Sequence, residues 1–475
     1  MQMTHKTNVT LYPAPGGAPL CGDYSVTVDG APVDVYSFPT SHGTPAFFAY
    51  CDIRGSVPVV VTSHFLPERD ICTMSAHPLS LGISAEREGN RIAFRVEKPC
   101  SVSILVNGDY RNRPLHLFLN PPAEPPPEDA IVLEPGMHKC SYDDPIELTD
   151  GQTLYIAGGA WVEAVIRAKD AKDIRIMGRG VLSQSVPEGR DYSGNANVAP
   201  PGIALAGCRD VTLSGIIETR AVGGWCSLVS NCDRVTVRNF HVAASVIPST
   251  DGFNPCNSRD VLVEDSFFHT SDDCIAIKGN TGESVVTHPH IPPATQSPVE
   301  NITIRGCTFW NDRNNVVVIG AETRARHIKN ITIEDCDVLF HNQYFRDLGA
   351  FSITPLHATE IRNVIYDNIR VEHIENQLFC FRFTDEMYGI PGDQSFPGVI
   401  ADVTIRNVVV LHQAGGPRSE FTGWSNDKPV QDIAIEGIRY GDKVVEDMAG
   451  MGLRCNEHVT GVGCKATDAQ KRKRT

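Results

Sequence analysis

Asn301-Ile-Thr-Ile304 and Asn330-Ile-Thr-Ile333 are one four-residue phrase written twice, and variants of it occur on either side. It returns as Asp173-Ile-Arg-Ile176, Asp210-Val-Thr-Leu213, Arg234-Val-Thr-Val237, Asp260-Val-Leu-Val263, Asn363-Val-Ile-Tyr366, Asp402-Val-Thr-Ile405 and Asp432-Ile-Ala-Ile435, at intervals of 24 to 41 residues. Self-similarity at such a period marks a solenoid. Each unit is a turn-forming residue followed by β-branched ones, and no helical periodicity fills the gaps. That argues against leucine-rich and helical repeats. It favours an all-β fold, a right-handed parallel β-helix whose coils each supply about three short strands and stack about 4.8 Å apart.

The cysteines keep the same beat. Cys208 and Cys232 each stand three residues before a repeat position (Val211, Val235), and Cys307 and Cys336 each stand five after one (Ile302, Ile331). Equal offsets put them at the same place on neighbouring coils, as interior packing residues. The Asn and Asp that begin many units are read as turn residues whose side chains bond nearby backbone.

Ahead of the repeats the pattern is different. Tyr24–Val28, Val59–Thr62, Ile92–Val96 and Val102–Val106 read as short strands, the last followed by the hairpin signal Asn107-Gly108. A small antiparallel β-sandwich is predicted for residues 1–128. It ends at the stiff linker Asn120-Pro-Pro-Ala-Glu-Pro-Pro-Pro-Glu128. The β-helix is then expected over 129–450, with a tail over 451–475.

The formal charge is −15 and no stretch approaches the length of an apolar membrane span. Binding to nucleic acid and membranes is therefore not expected. The basic run Lys471-Arg-Lys-Arg474 reads as a tail. There are 15 cysteines, none in a CxxC pair, and the N-terminus has no apolar leader region. An odd cysteine count without a leader fits reduced thiols and a cytoplasmic setting. Neither a zinc site nor a cofactor is implied, and the sequence is silent on oligomeric state.

The stretch richest in chemistry is Ser249-Thr-Asp-Gly-Phe-Asn254, followed by Ser271-Asp-Asp-Cys-Ile-Ala-Ile-Lys278. Asp251 precedes Asp272-Asp273 by about one coil, so the three carboxylates should lie one strand spacing apart. So close together they repel, which favours one of them keeping a proton. A protonated acid beside ionised bases is what glycosidic cleavage requires: one group protonates the leaving oxygen and another activates water. Consecutive strand residues face opposite ways, so Asp272 and Asp273 share the cleft only if the chain bends near Thr270-Ser271. The same residues could form a turn network or a calcium site. The motifs on either side favour catalysis.

Thr-Asp-Gly followed at this spacing by Asp-Asp-Cys-Ile-Ala-Ile-Lys resembles the polygalacturonase family of glycoside hydrolases, family 28. The resemblance covers roughly the repeat region. A sandwich ahead of the helix is more similar to the related dextranase family, family 49. The resemblance implies inverting hydrolysis, with Asp272 as general acid and Asp251 and Asp273 holding and activating water. It also marks departures. Where the family has Gly-His-Gly, this chain reads Asn314-Asn315-Val316. Where it has the carboxylate-gripping Arg-Ile-Lys, this chain reads Ala350-Phe351-Ser352. Losing that cationic pair favours a neutral oligo- or polysaccharide over polygalacturonate, although Arg346 or Lys278 could take over the charge.

Further candidates for substrate binding are Lys278, Asn254, Asn315, Tyr388 and Arg346. Lys278 is turned toward the cleft by alternation, or is a surface lysine at a turn. Asn254 contacts sugar, holds Asp251 or serves a turn. The resemblance puts Tyr388 near a substrate-stacking tyrosine, with Arg382, Asp385 and Glu386 beside it. Trp225 and Trp310 are read as core packing ahead of sugar platforms. His288-Pro-His290 lies in a long Pro-rich stretch read as a flap beside the cleft, and His269 and His341 have no evident partner. Two other functions compete with hydrolysis. One is a polysaccharide lyase or epimerase, which usually needs Lys or Arg with calcium. The other is a non-catalytic carbohydrate-binding solenoid.

Overall fold

The computed structural model describes residues 8–466, except 141–143, 185–199, 221, 247–248, 280–298, 321–322, 324, 344–346, 357–358, 385, 388–389 and 392–397. From Ile131 onward the strands pair in parallel, each with its counterpart one coil away. They form an 11-stranded sheet and a 22-stranded sheet that folds around a corner, giving three faces wound into a right-handed parallel β-helix. No described helix is long and apolar enough to cross a membrane.

The sequence phrase has a structural cause. All nine starting residues, Asp173, Asp210, Arg234, Asp260, Asn301, Asn330, Asn363, Asp402 and Asp432, have φ between +53 and +60°. Asn and Asp tolerate that left-handed conformation best among residues with a side chain. They also form a ladder along the surface: Asn301 Nδ2 donates to Asp260 Oδ1 at 2.7 Å, Asn330 to Asn301 at 2.9 Å and Asn363 to Asn330 at 2.8 Å. Arg234 breaks the pattern, and its guanidinium reaches back to both oxygens of Asp210 at 2.6 and 2.8 Å.

The β-branched residues that follow point inward alternately. Val211, Val235, Val261, Ile302, Ile331, Val364 and Val403 stack in register along one interior column of the core. Each contributes about 1.5–3 kcal/mol by leaving water. Cys208, Cys232, Cys307 and Cys336 lie in the same core, and no cysteine is in a disulfide. Leu453–Cys455 and Val459–Lys465 pair in parallel with the preceding coil. The stacking therefore runs to Lys465, where a tail was expected from 451, because those short strands lie outside the nine-fold phrase.

Strands before Asn120 form a six-stranded and a five-stranded sheet enclosing their own apolar cluster. The expected strands are present as Tyr24–Val28, Val57–Ser63, Arg91–Val96 and Cys100–Val106. Pairing is antiparallel except between Ala46–Ile53 and Leu115–Asn120, which run parallel. Asn107 and Gly108 do turn the chain, with φ of +58 and +65°, but the next strand begins only at Leu115.

This sandwich lies against one face of the solenoid. Tyr36, Phe38, Phe48 and Phe118 pack on Trp161, Val181, Ile217, Ala243 and Phe267. Arg179 of the solenoid forms a buried ion pair with Asp52 of the sandwich at 2.7 Å.

Candidate active site

Hydrogen-bond register on the 11-stranded face counts the coils. Ser227, Phe253, Ile275, Val317 and Phe351 are successive partners. Two residues upstream of each, at the corner where the chain enters the face, stand Trp225, Asp251, Asp273, Asn315 and Gly349. Three upstream of the third and fourth stand Asp272 and Asn314. Backbone bonds tie the corners together: Cys226 N–H donates to Asp251 O at 2.7 Å, Gly252 to Asp273 O at 2.9 Å and Cys274 to Asn315 O at 3.0 Å. Asp251 and Asp273 are therefore stacked neighbours, and Asp272 stands beside them.

One carboxylate oxygen from each of the three acids lies within 4.8 Å of the others. Asp251 and Asp273 are buried, at 2% and 4% exposure, while Asp272 is half-buried. Such a trio has the donor type and spacing to hold a hard cation.

The bend that the sequence demanded is present. The Thr270 hydroxyl donates to Asp272 O at 2.7 Å, and Ser271 Oγ donates to Val246 O at 2.6 Å. Asn311 completes the corner. It is fully buried one coil later, opposite Thr270, and its amide donates to the carbonyls of both Asp272 and Asn315. With the carbonyls held from inside, both carboxyls turn outward.

Each of the three acids has its own partners. Asp273 Oδ1 accepts from Asn315 twice, from the side-chain amide at 2.6 Å and the backbone N–H at 3.2 Å. Asp251 Oδ2 lies 3.3 Å from Lys278 Nζ, whose ammonium also sits 3.9 Å above the Trp225 ring. Both environments favour a carboxylate. Asp272 Oδ1 accepts from Asn314 Nδ2 and from Asp273 N–H. Those bonds anchor one carboxylate oxygen. Asn314 is held in turn by Gln343 Nε2 at 2.8 Å.

Asn254 projects outward between Leu228 and Ala276, fully buried, with neither amide atom hydrogen bonded. Trp225 is buried, as the packing reading expects, in a small apolar cluster with Leu228 and Cys256 that is separate from the solenoid interior. It occupies the corner position equivalent to Asp251, one coil earlier. Trp310 packs between solenoid and sandwich with Leu105, Leu339 and Phe340. Tyr388, Arg346, Asp385 and the His288–His290 stretch lie outside the described residues. Sequence reading missed Asn311, Asn314 as a partner of Asp272, and Gln343. The signal was the run Asn311-Asp-Arg-Asn-Asn315, polar where a strand ends.

Gly252 shows why the motif reads Thr-Asp-Gly. A Cβ there would stand 2.5 Å from Cys274 O and 2.8 Å from the Phe268 ring. Backbone cannot give way cheaply, so Gly252→Ala is expected to cost about 1–3 kcal/mol and to displace Asp251. Chemical denaturation and a rate assay on the same variant check both.

Fold and site together define a parallel β-helix with three clustered acids on one corner. Residues 145–444 match the family described as Glycosyl hydrolases family 28, and the chain belongs to that family. It is 24% identical to Polygalacturonase-2 of Solanum lycopersicum over 36% of this chain and 42% of that protein. It is 25% identical to an exopolygalacturonase of Cochliobolus carbonum over 56% of this chain and 60% of that protein. The matches thus span less than two thirds of these relatives. The fold is similar to that of Dex49A from Penicillium minioluteum, with a TM-score of 0.69 and 12% identity, over 97% of this chain and 99% of that one. This likeness of fold extends across the sandwich as well as the solenoid.

Proposed function

We propose that the protein is an inverting glycoside hydrolase acting on a neutral oligo- or polysaccharide. Asp272 gives its proton to the leaving oxygen, and Asp251 and Asp273 together activate the attacking water. The observation that carries this is the clustering of the three acids. Their charges repel at that spacing, which favours one of them keeping a proton. Lys278 favours the ionised form of Asp251, and Asp272 is the most exposed and best placed to meet a leaving oxygen. The oxygens approach within 4.8 Å. One water donating to two carboxylates at about 2.8 Å each spans about 4.5 Å between them, so the spacing suits a water held by a pair. The same closeness falls below the roughly 6.5–9.5 Å usual between an inverting acid and base. Retention through a carboxylate nucleophile is therefore the second reading.

The neutral reading is supported by what stands where the resemblance puts the family's two cations: Ala350 lies with Phe351 in the apolar core and Ser352 is buried, so neither position presents a charge. Lys278 is engaged by Asp251 and Trp225. Asn254 and Thr354 instead offer buried amide and hydroxyl groups without hydrogen-bond partners, which suit sugar hydroxyls better than a uronate.

The test is product formation from a panel of neutral and uronic oligosaccharides, followed by proton NMR in the first minutes. Release from a neutral member with inverted anomeric configuration, unchanged by a chelator, is expected. Retained configuration would replace the mechanism. Cleavage confined to uronic substrates would sink the neutral reading, and a chelator-sensitive, unsaturated product would establish a lyase.

A further inference from the structure

Asp312 follows directly on Asn311, the residue that staples the carboxylate corner, and its carboxyl is buried in the junction between solenoid and sandwich. Its Oδ2 accepts from His269 Nε2 at 3.0 Å and from the Ser245 hydroxyl, and its Oδ1 accepts from Trp310 Nε1 at 3.1 Å. His42 Nε2, from the sandwich, lies 3.2 Å from Oδ1. The chain of contacts continues across the junction. His269 Nδ1 meets His116 Nε2 at 2.9 Å, and His116 Nδ1 meets Ser103 Oγ at 2.8 Å. Ser103, His116, His269, Ser245 and Trp310 are all buried.

With Asp312 ionised, one arrangement of protons satisfies every link. Ser103 O–H donates to His116, His116 Nε2–H donates to His269, and His269 Nε2–H donates to Asp312. Burial holds His116 well below the usual histidine range, which fits a neutral ring there. Burial opposes the charge on Asp312, yet the histidines hold its carboxyl below the ordinary carboxylate range. The junction thus encloses a carboxylate whose partners come from both sides.

Such a network is costly to bury, and adhesion does not require it. The aromatic cluster around Tyr36, Phe48 and Trp161 already joins the two parts. What the network adds is a fixed position. The Asp312 backbone N–H donates to Thr270 O at 2.9 Å, just ahead of Asp272. The adjoining Asn311 amide holds the carbonyls of Asp272 and Asn315. Ser245 is bridged to Thr40 of the sandwich.

We propose that the sandwich is a working part of the active site: through His42, and through His116 by way of the solenoid's His269, it holds Asp312, a positioning residue that fixes the corner presenting Asp272, Asp273 and Asn315. The inference rests on the hydrolase reading above. The test uses the full chain and the oligosaccharide cleaved in the panel, at a temperature where circular dichroism shows each variant folded. Asp312→Ala is expected to lower kcat by about 10- to 100-fold, since small displacements of catalytic groups cost that much, with KM within about twofold. Asp312→Asn, which keeps an acceptor of the same shape, should recover part of the loss. Should Asp312→Ala not fold, His42→Ala, at a side chain 14% exposed, carries the test with a smaller fall in kcat. Wild-type kcat in the folded variant, or a change confined to KM, would overturn the proposal. Asp272→Asn run alongside separates the two ideas. An active Asp272→Asn removes the hydrolase reading and this inference with it. An inert Asp272→Asn beside a fully active Asp312→Ala removes the positioning role alone.

Discussion

Asp272→Asn is expected to lower kcat by about 10²–10⁴-fold and to leave the fold intact. The substitution is nearly isosteric and keeps the oxygen that accepts from Asn314 Nδ2 and Asp273 N–H. What it removes, on the proposed mechanism, is the acid's ability to give a proton to the leaving oxygen. Asp272 is also the most exposed of the three acids, so little packing is disturbed. The loss should shrink on substrates with an acidic phenolic leaving group, which departs without full protonation. Asp273→Asn should be equally slow on both kinds of substrate, because water activation is needed in either case. Rates of the two variants on paired substrates check this, with a denaturation midpoint for each. Wild-type turnover by folded Asp272→Asn would remove it from the acid role.

The largest loss of stability is expected from Asp52→Ala, at about 3–5 kcal/mol. Asp52 is 2% exposed, and it accepts from Arg179 Nε at 2.7 Å, Tyr12 OH at 2.6 Å and Ala123 N–H at 2.7 Å. Its removal leaves a buried guanidinium whose remaining contacts are the carbonyls of Gly178 and Pro121. A neutral carbonyl pair does not compensate a buried cation. The double variant Asp52→Ala, Arg179→Met should recover most of the loss, because an apolar pair of similar volume replaces a buried ion pair at little cost. Urea unfolding of the three proteins measures it. A double variant as unstable as the single one would show that packing, not charge, governs this contact.

The two parts of the molecule have different logics. In the solenoid each coil touches mainly its neighbours, so changes are felt locally. The sandwich crosses those local boundaries. His77 of the sandwich bonds Glu372, and Asn120 bonds His241 at 3.0 Å, on coils far apart in sequence. Together with Arg179–Asp52 these contacts clamp the solenoid along one face, with the carboxylate corner at its edge.

The solenoid was legible because its turn chemistry repeats. A left-handed residue followed by inward β-branched residues is a local pattern, and Asn, Asp and Val announce it without reference to the rest of the chain. The carboxylate trio was legible for the same reason, since Asp251 and Asp272-Asp273 belong to successive coils with no long insertion between them. The role of Asn314 was harder to see. The interval from Asp260 to Asn301 is 41 residues, and an insertion of unknown path hides which residue falls opposite Asp272.

The sequence by itself determined the coil, its inward column and the identity of the three acids, because these depend on side-chain alternation and on residues near one another in the chain. Tertiary structure alone decided which acid is anchored by which amide, that Trp225 packs beside Lys278, and that His42 reaches Asp312 directly and His116 reaches it through His269. Those relations are set by register between coils and by the docking of a sandwich more than 150 residues away in sequence from His269. Spatial contact at such separation is fixed by the packing of whole faces, which no local pattern encodes.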